Sequence, residues 1–532
     1  MVDAVPAASH GVAHGRKDAN EIGGILRQSK RARGRKSSIP DRPARSTRYR
    51  RLRHVAQPEA YFSTDQIAAI HDAALTLLEE RGMKVLHAGA RHYYKSAGAT
   101  VKGEMVFVGR EIVARALQVA PRSFTLKAGS SDRELQYELG AQIFGPAGGC
   151  PNVYDRVGGR RAGTAQDFIN ATKLQQHFDA IHILGPSAEP QDIPPQERHY
   201  LMMEAQLTLS DKPTSIYARG HRQVMDAFEI LRLGRGLDAD AFEADVWIKT
   251  VINTNSPRML DVPMAEGIID FATHRQLSIV TPFCLAGAMA PITLSGALTL
   301  QHAECLAGIT LAQLVREGAP VSYGGFASNV DMKSGAPAFG TPEHIKLMLG
   351  TGQLARHIGL PFRAAAGSAS NIADAQGATE NTNALWASRM AGATLTIHAA
   401  GWLEGGLCFG YEKFITDMEA LQTIAELSQP GETSADLATA SLAQIEPGGH
   451  FFDAPDTMAR YNRAFYQPLV ADLSNHGTWE AAGSLTAEER ATKIWQNILR
   501  DFEPPKDSGD VADRIRPFIE KRKAEGGAPI AE

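Results

Sequence analysis

Between residues 141 and 400, short apolar runs alternate with amphipathic stretches of helical length, and no other feature of the chain constrains its fold as tightly. The runs are 142–144, 181–184, 214–217, 247–253, 278–285, 321–325, 362–366 and 394–400. Between them lie 165–178, 195–209, 222–234, 264–276, 294–318, 342–359 and 379–391, each long enough for a helix. Such alternation makes parallel strands joined by helical crossovers. Eight candidate strands over about 260 residues match an α/β fold of the (β/α)8 TIM-barrel type, whose interior is filled by branched side chains. A doubly wound open sheet is the competitor. It usually carries a G-x-G-x-x-G turn after its first strand, and the chain has none there.

Other segments flank this core. Ser63-Thr64-Asp65 stands before Ile67, Ile70, Ala73, Ala74, Leu77 and Leu78, a helical face with capping residues ahead of it and Gly82 behind. It opens a small α+β extension over 57–140. After the eighth run, helices are expected over 417–427, 434–444 and 486–499, with a further helix and a frayed tail from Asp501. The division is therefore a disordered basic tail (1–56), the extension (57–140), the barrel (141–415) and a C-terminal helical region (416–532). Residues 1–53 carry a net charge of +10 and the remainder −14. The acidic body repels nucleic acid, so only the tail is suited to nucleic acid or an acidic partner.

Four cysteines without a C-x-x-C pair exclude a disulfide scaffold and indicate reduced thiols in a cytoplasmic protein. Gln276 to Ala303 is free of charged residues and long enough to raise a membrane span. Pro282, Pro291 and several Ser and Thr residues favour a strand, a loop and the start of a core helix instead. The N-terminus lacks the apolar run of a secretory signal.

In a barrel, chemistry sits in loops at the carboxyl ends of the strands. Here those loops are small, polar and aromatic. Tyr217, Trp247, Phe283, Tyr323, Phe326, Trp402, Phe409 and Tyr411 fall on or just past expected strand ends, with Asp331, Glu404 and Glu412 among them. Rings and carboxylates together suit an organic cation; ordinary packing is the other reading. Ser368 lies in Ala-Gly-Ser-Ala-Ser, which is no nucleophile elbow. His302 and His398 read as core or surface histidines, and Cys284, Cys408 and His398 make a poor zinc set, so no metal is expected.

Several segments bear a specific resemblance. Tyr61-Phe62-Ser63-Thr64-Asp65-Gln66-Ile67, Ala116-Leu117-Gln118-Val119-Ala120-Pro121-Arg122, His302-Ala303-Glu304-Cys305-Leu306-Ala307-Gly308, Asp331-Met332-Lys333-Ser334-Gly335-Ala336-Pro337, Ala399-Ala400-Gly401-Trp402-Leu403-Glu404 and Gly449-His450-Phe451 are similar to the trimethylamine methyltransferase family over roughly residues 58–500. The resemblance implies a barrel enzyme that demethylates methylamines, binds no cofactor itself, and passes the methyl to cobalamin on a separate corrinoid protein; tetrahydrofolate is the alternative acceptor. The family's trimethylamine enzymes carry pyrrolysine in a loop at the barrel mouth. The loop to compare here, Ala366-Gly367-Ser368-Ala369-Ser370, has none. That departure points to the pyrrolysine-free branch, which uses quaternary amines such as glycine betaine. A quaternary nitrogen already carries a fixed charge and leaves as a neutral tertiary amine. From loop position, Trp402, Phe326, Tyr411 and Trp247 are expected to form a cage, with Tyr323 and Ser368 also against the substrate. Glu404 is expected to balance the charge, with Asp331 the next candidate. A non-catalytic betaine-binding barrel is the alternative function, and a homo-oligomer is expected.

Overall fold

The computed structural model describes residues 49–530 except 218, 430 and 432–433. Most of the expected disordered tail, residues 1–48, lies outside the described residues. Its last part is packed into the fold. Tyr49 is buried, Arg50 Nε bonds Asp179 at 2.9 Å, and Leu52–Arg53 pairs antiparallel with Ala141–Gln142. Arg50 and Arg53 find acids across the fold, Asp179 and Glu138, and Arg51 donates to Ser131 O (3.0 Å), so a polar composition does not leave this stretch unstructured.

The molecule is mixed α/β around one large sheet. Its parallel strands are β1 (Ala141–Phe144), β2 (Thr214–Ser215), β3 (Ile248–Ile252), β4 (Leu277–Val280), β5 (Val321–Gly324), β6 (Phe362–Ala365) and β7 (Leu395–Ile397). Neighbours run in chain order from β2 to β7, and β7 then pairs parallel with β1. Seven of the eight expected runs are thus strands of this sheet. The eighth, 181–184, forms no ladder. It runs from the end of β1 to the residue before β2 on isolated bonds: His182 N donates to Phe144 O (2.9 Å), and Leu184 N donates to Pro213 O (3.0 Å). The ring of His182 takes the place of a ladder, because its Nδ1 accepts from Phe144 N (2.9 Å) while Nε2 meets Tyr49 O (2.6 Å).

Crossover helices follow the strands: α1 (Ala165–His177), α2 (Arg198–Leu209), α3 (His221–Arg235), α4 (Val262–Thr273), α5 (Leu294–Val315), α6 (Pro342–Ile358) and α7 (Ala375–Met390), with α8 (Tyr411–Leu427) beginning the C-terminal region. Local chemistry sets their ends. Thr164 and Asp167 form a capping box on α1, and Thr341-Pro342 opens α6, which Gly359 closes at φ 71°. The charge-free stretch 276–303 becomes β4, a second strand Phe283–Ala286, and the start of α5. Among the described residues no helix is long and apolar enough to cross a membrane.

In the N-terminal extension, Ser63 and Gln66 make the expected capping box on the helix Thr64–Thr76, and Gly82 ends its continuation at φ 65°. A hairpin, Ser123–Leu126 with Leu135–Glu138, packs under the amino ends of the sheet. Its Leu126, Leu135 and Tyr137 join Ile143, Ile183, Leu277, Ile279, Leu395 and Ile397 in one apolar cluster. At the other end of the chain, Ser508–Ala524 is helical, and its Val511, Ile515 and Ile519 enter the same core as Ile67 and Leu78. The expected extension, barrel and C-terminal region therefore share a core.

Candidate functional site

A cavity of about 410 Å³ lies at the carboxyl ends of the strands. β1 leads into Gly145-Pro146-Ala147-Gly148-Gly149 along one side of it, and β2 into Tyr217 and Arg219. β3 contributes Lys249, Val251 and Asn253, the alternate residues that share one face of a strand. Phe326, Arg363, His398 and Trp402 also line it, as do the segment 183–186 and Gly405-Gly406-Leu407. A larger groove of about 910 Å³ lies between the helix Thr64–Thr76 and residues 288–300; its one charged side chain, Arg258, is already bonded to the carbonyl oxygens of Arg81 and Gly82. Chemistry therefore concentrates in the smaller cavity.

The aromatic wall is built around Trp402. His398 stacks on it at 4.3 Å between centroids with 15° between planes, and Phe326 lies 5.8 Å away. Two glycines clamp the indole. A Cβ on Gly367 would fall 2.0 Å from Trp402 Cε3, and one on Gly406 2.5 Å from Cζ2; both residues have positive φ, 113° and 108°. The loop singled out for lacking pyrrolysine therefore gives its space to Trp402. His398 itself sits at φ 58°, a conformation costly for a non-glycine residue and concentrated at functional sites.

The floor is cationic. Lys249 and Arg363 are 3% and 1% exposed. Lys249 Nζ donates to Ser215 Oγ (2.8 Å); Arg363 makes only long contacts, to Gly325 O (3.3 Å) and His398 Nε2 (3.4 Å). Burial, with Arg363 beside it, pushes the Lys249 ammonium down to about 7. Burial likewise pushes the Arg363 guanidinium down to about 9, and burial with these two cations drives His398 well below the usual histidine range. Arg363 Nε, His398 Nδ1 and Trp402 Nε1 are buried without a hydrogen-bond partner. Among the described residues lining the cavity there is no carboxylate.

Of the residues expected from the sequence, Trp402 and Phe326 meet here. The others stand elsewhere. Glu404 turns away to a two-pronged ion pair with Arg160, at 2.8 Å from Oε1 and 3.0 Å from Oε2. Asp331 is exposed and caps its own turn through Ser334 N (3.0 Å). Tyr411 is buried at the start of α8 and donates to Asp167 (2.7 Å). Trp247 precedes β3 and so lies at its amino end, opposite the cavity. Tyr323 hydrogen-bonds His302 on α5 (2.8 Å), away from the cavity, and Ser368 donates to Glu380 (2.7 Å). The pattern reading missed Lys249, Arg363 and His398. Its available signal was a cation inside each of two otherwise apolar runs, Ile248-Lys249-Thr250-Val251 and Phe362-Arg363-Ala364-Ala365, where a charge is rare without a purpose. No group of three His, Cys, Asp or Glu among the described residues is placed to hold a metal.

A pocket at strand carboxyl ends, with convergent polar groups and displaced ionisations, is the arrangement of a small-molecule enzyme. Residues 27–527 match the model of the trimethylamine methyltransferase (MTTB) family, and the chain belongs to that family of methyltransferases. The match reaches further at both ends than the 58–500 expected from motifs, and on the N-terminal side it enters the basic tail. Glycine betaine methyltransferase of Desulfitobacterium hafniense (strain Y51) is 33% identical over 466 residues, 87% of this chain and 97% of that one. Trimethylamine methyltransferase MttB of D. hafniense (strain DSM 10664 / DCB-2) is 28% identical over 475 residues, covering 88% and 95%. Proline betaine:corrinoid methyltransferase of Eubacterium limosum is 26% identical over 486 residues, covering 87% and 98%.

Proposed function

We propose that this methyltransferase removes one methyl group from a quaternary amine of the glycine betaine type and delivers it to the reduced cobalt of a separate corrinoid protein. The observation that carries the reading is the clamped indole of Trp402 facing Phe326 in a buried cavity. Each ring face attracts a desolvated quaternary ammonium by about 0.5–2 kcal/mol. The large sheet is read here as a (β/α)8 barrel whose eighth stave is the segment 181–184, with the cavity in its mouth. The protein acts in the cytoplasm with the corrinoid protein as partner.

In the reaction the nitrogen keeps the electron pair of the broken N–C bond and leaves as a neutral tertiary amine, while the methyl carbon bonds to the acceptor. The chain supplies positioning: it holds the donor so that one N–CH3 bond points out of the mouth, in line with the attacking atom. A ring-only grip on the cation suits this step, because the positive charge on nitrogen fades along the reaction and a tight ion pair would hold back the ground state.

The test is a panel of methylated amines incubated with the enzyme and a reduced corrinoid protein, with cobalt methylation followed by absorbance. Transfer from quaternary donors and not from trimethylamine is expected. Trimethylamine turning over as fast as betaines would overturn the reading, and donor binding without any turnover would favour a sensing role instead.

A further inference from the structure

The cation-binding reading leaves the floor of the cavity unexplained. A pocket meant only for a cation should not be lined by buried cations, since like charges in a desolvated space repel strongly. Lys249 and Arg363 nevertheless both line it, both nearly fully buried. Neither has an ion pair with a carboxylate among the described residues, whereas nearby charges are matched: Arg219 with Glu189, and Arg160 with Glu404. Burying an unpaired charge is costly, and a fold keeps it only where something else repays the cost.

The surrounding groups are donors. Where Arg363 donates to His398 Nε2, the Nδ1 of His398 carries the hydrogen, and that atom has no acceptor. Arg363 Nε also has none. Lys249 has protons beyond the one given to Ser215. Cationic and neutral donors with no acceptor call for a ligand group that only accepts and carries negative charge. Arg363 also lies 5.2 Å from the Phe326 ring centroid, so this floor adjoins the aromatic wall.

Resting on the proposed methyl transfer, we propose that Lys249, Arg363 and His398 form a carboxylate subsite, which makes the preferred donor a zwitterion anchored by its carboxylate below and with its quaternary ammonium beside the aromatic wall of Trp402 and Phe326. The arrangement accounts for the missing protein carboxylate, because the donor brings its own counter-charge. It also fixes which end of the donor faces the mouth: with the carboxylate held on the floor, an N-methyl group is left uppermost. Lys249, Arg363 and His398 are positioning residues in this scheme, since the reacting atoms lie at the other end of the donor.

The experiment measures binding by calorimetry and turnover with the corrinoid protein in parallel. On the wild-type enzyme, glycine betaine is compared with choline, tetramethylammonium, glycine betaine methyl ester and acetate. Zwitterion binding at least tenfold tighter than each of the cations and than acetate is expected. Choline or the ester binding as tightly as the betaine overturns the subsite, and acetate binding as tightly shows a general small-anion site instead. Lys249→Gln and Arg363→Gln should each weaken betaine at least tenfold and leave the weak binding of tetramethylammonium unchanged or improved, a split that a merely structural residue would not give. If either variant fails to fold, the wild-type panel still decides. The two readings fail separately. Charge-selective binding without methyl transfer keeps the subsite and sinks the enzymatic reading, whereas turnover of choline and betaine at equal kcat/KM does the reverse.

Discussion

Replacing Gly367 by alanine tests whether the aromatic wall is fixed in place. The new Cβ would lie 2.0 Å from Trp402 Cε3 and 2.7 Å from Cζ3, far inside contact distance. The ring cannot retreat toward Gly406, whose own position allows no more than a hydrogen on that side. Nor can Gly367 shift freely, because its N–H is bonded to Asn381 Oδ1 at 2.8 Å. Overpacking of this kind costs about 1–3 kcal/mol, and a φ of 113° adds about 1–2 kcal/mol for an L-residue. A loss of about 2–5 kcal/mol is expected if the ring stays, and less if it swings out of the wall. Thermal unfolding and donor calorimetry separate these outcomes, because a displaced ring forfeits roughly 0.5–2 kcal/mol of cation–π attraction, about a 2- to 30-fold loss of affinity. Gly98→Ala is the control: its φ is 96° with nothing within 4 Å of the added carbon, so it reads the backbone cost alone. Gly367→Ala matching Gly98→Ala in melting temperature, with wild-type donor affinity, would refute the clamp.

Donor affinity should fall as pH rises through about 7, where Lys249 loses its proton, and Lys249→Gln should flatten that dependence in calorimetry between pH 6 and 8; His398 stays neutral throughout. Without donor the sign reverses: above pH 7 the unfolded chain holds a proton on this lysine that the folded protein has released, so its contribution to stability rises toward pH 10, and Lys249→Met should raise the melting temperature at pH 6 while weakening donor binding at least tenfold. Glu404→Gln should cost no more than about 1 kcal/mol, since its partner Arg160 is half exposed, and should leave donor affinity unchanged. Tyr411→Phe should destabilise by about 0.5–1.5 kcal/mol through the lost bond to Asp167, again without effect on the donor. A chain starting at residue 57 should melt below one starting at 46, because it lacks the contacts of Tyr49, Arg50 and Leu52.

What could be read from the sequence was what short stretches of chain decide for themselves. The capping box of Ser63 and Gln66, the helix stop at Gly82 and seven of the strands follow from neighbours within a few residues. The phase and ends of strands do not. Trp247 belongs to the run 247–253, yet the strand begins at Ile248, so the indole stands just before its amino end and not at the mouth. Tyr323 lies on the face of β5 that meets α5, and period-two alternation in a strand buried on both sides gives no sign of which face is inward. Glu404 looked available because its partner, Arg160, is 244 residues away. Buried cations are hidden for a related reason: an apolar run marks a strand whether or not it contains one charge, so Lys249 and Arg363 leave the runs 247–253 and 362–366 looking ordinary.

The hairpin beneath the sheet gives the cavity a direction. With Leu126, Leu135 and Tyr137 packed among Ile143, Ile183, Leu277 and Leu395, the amino end is stoppered. Traffic on the proposed reaction then shares the mouth: donor enters there, the acceptor docks there and the demethylated amine leaves there. A docked acceptor traps whatever lies beneath it, so turnover is ordered, with donor loading first and amine release waiting on departure of the methylated partner. Steady-state kinetics should therefore show the acceptor at saturating concentration inhibiting with respect to donor.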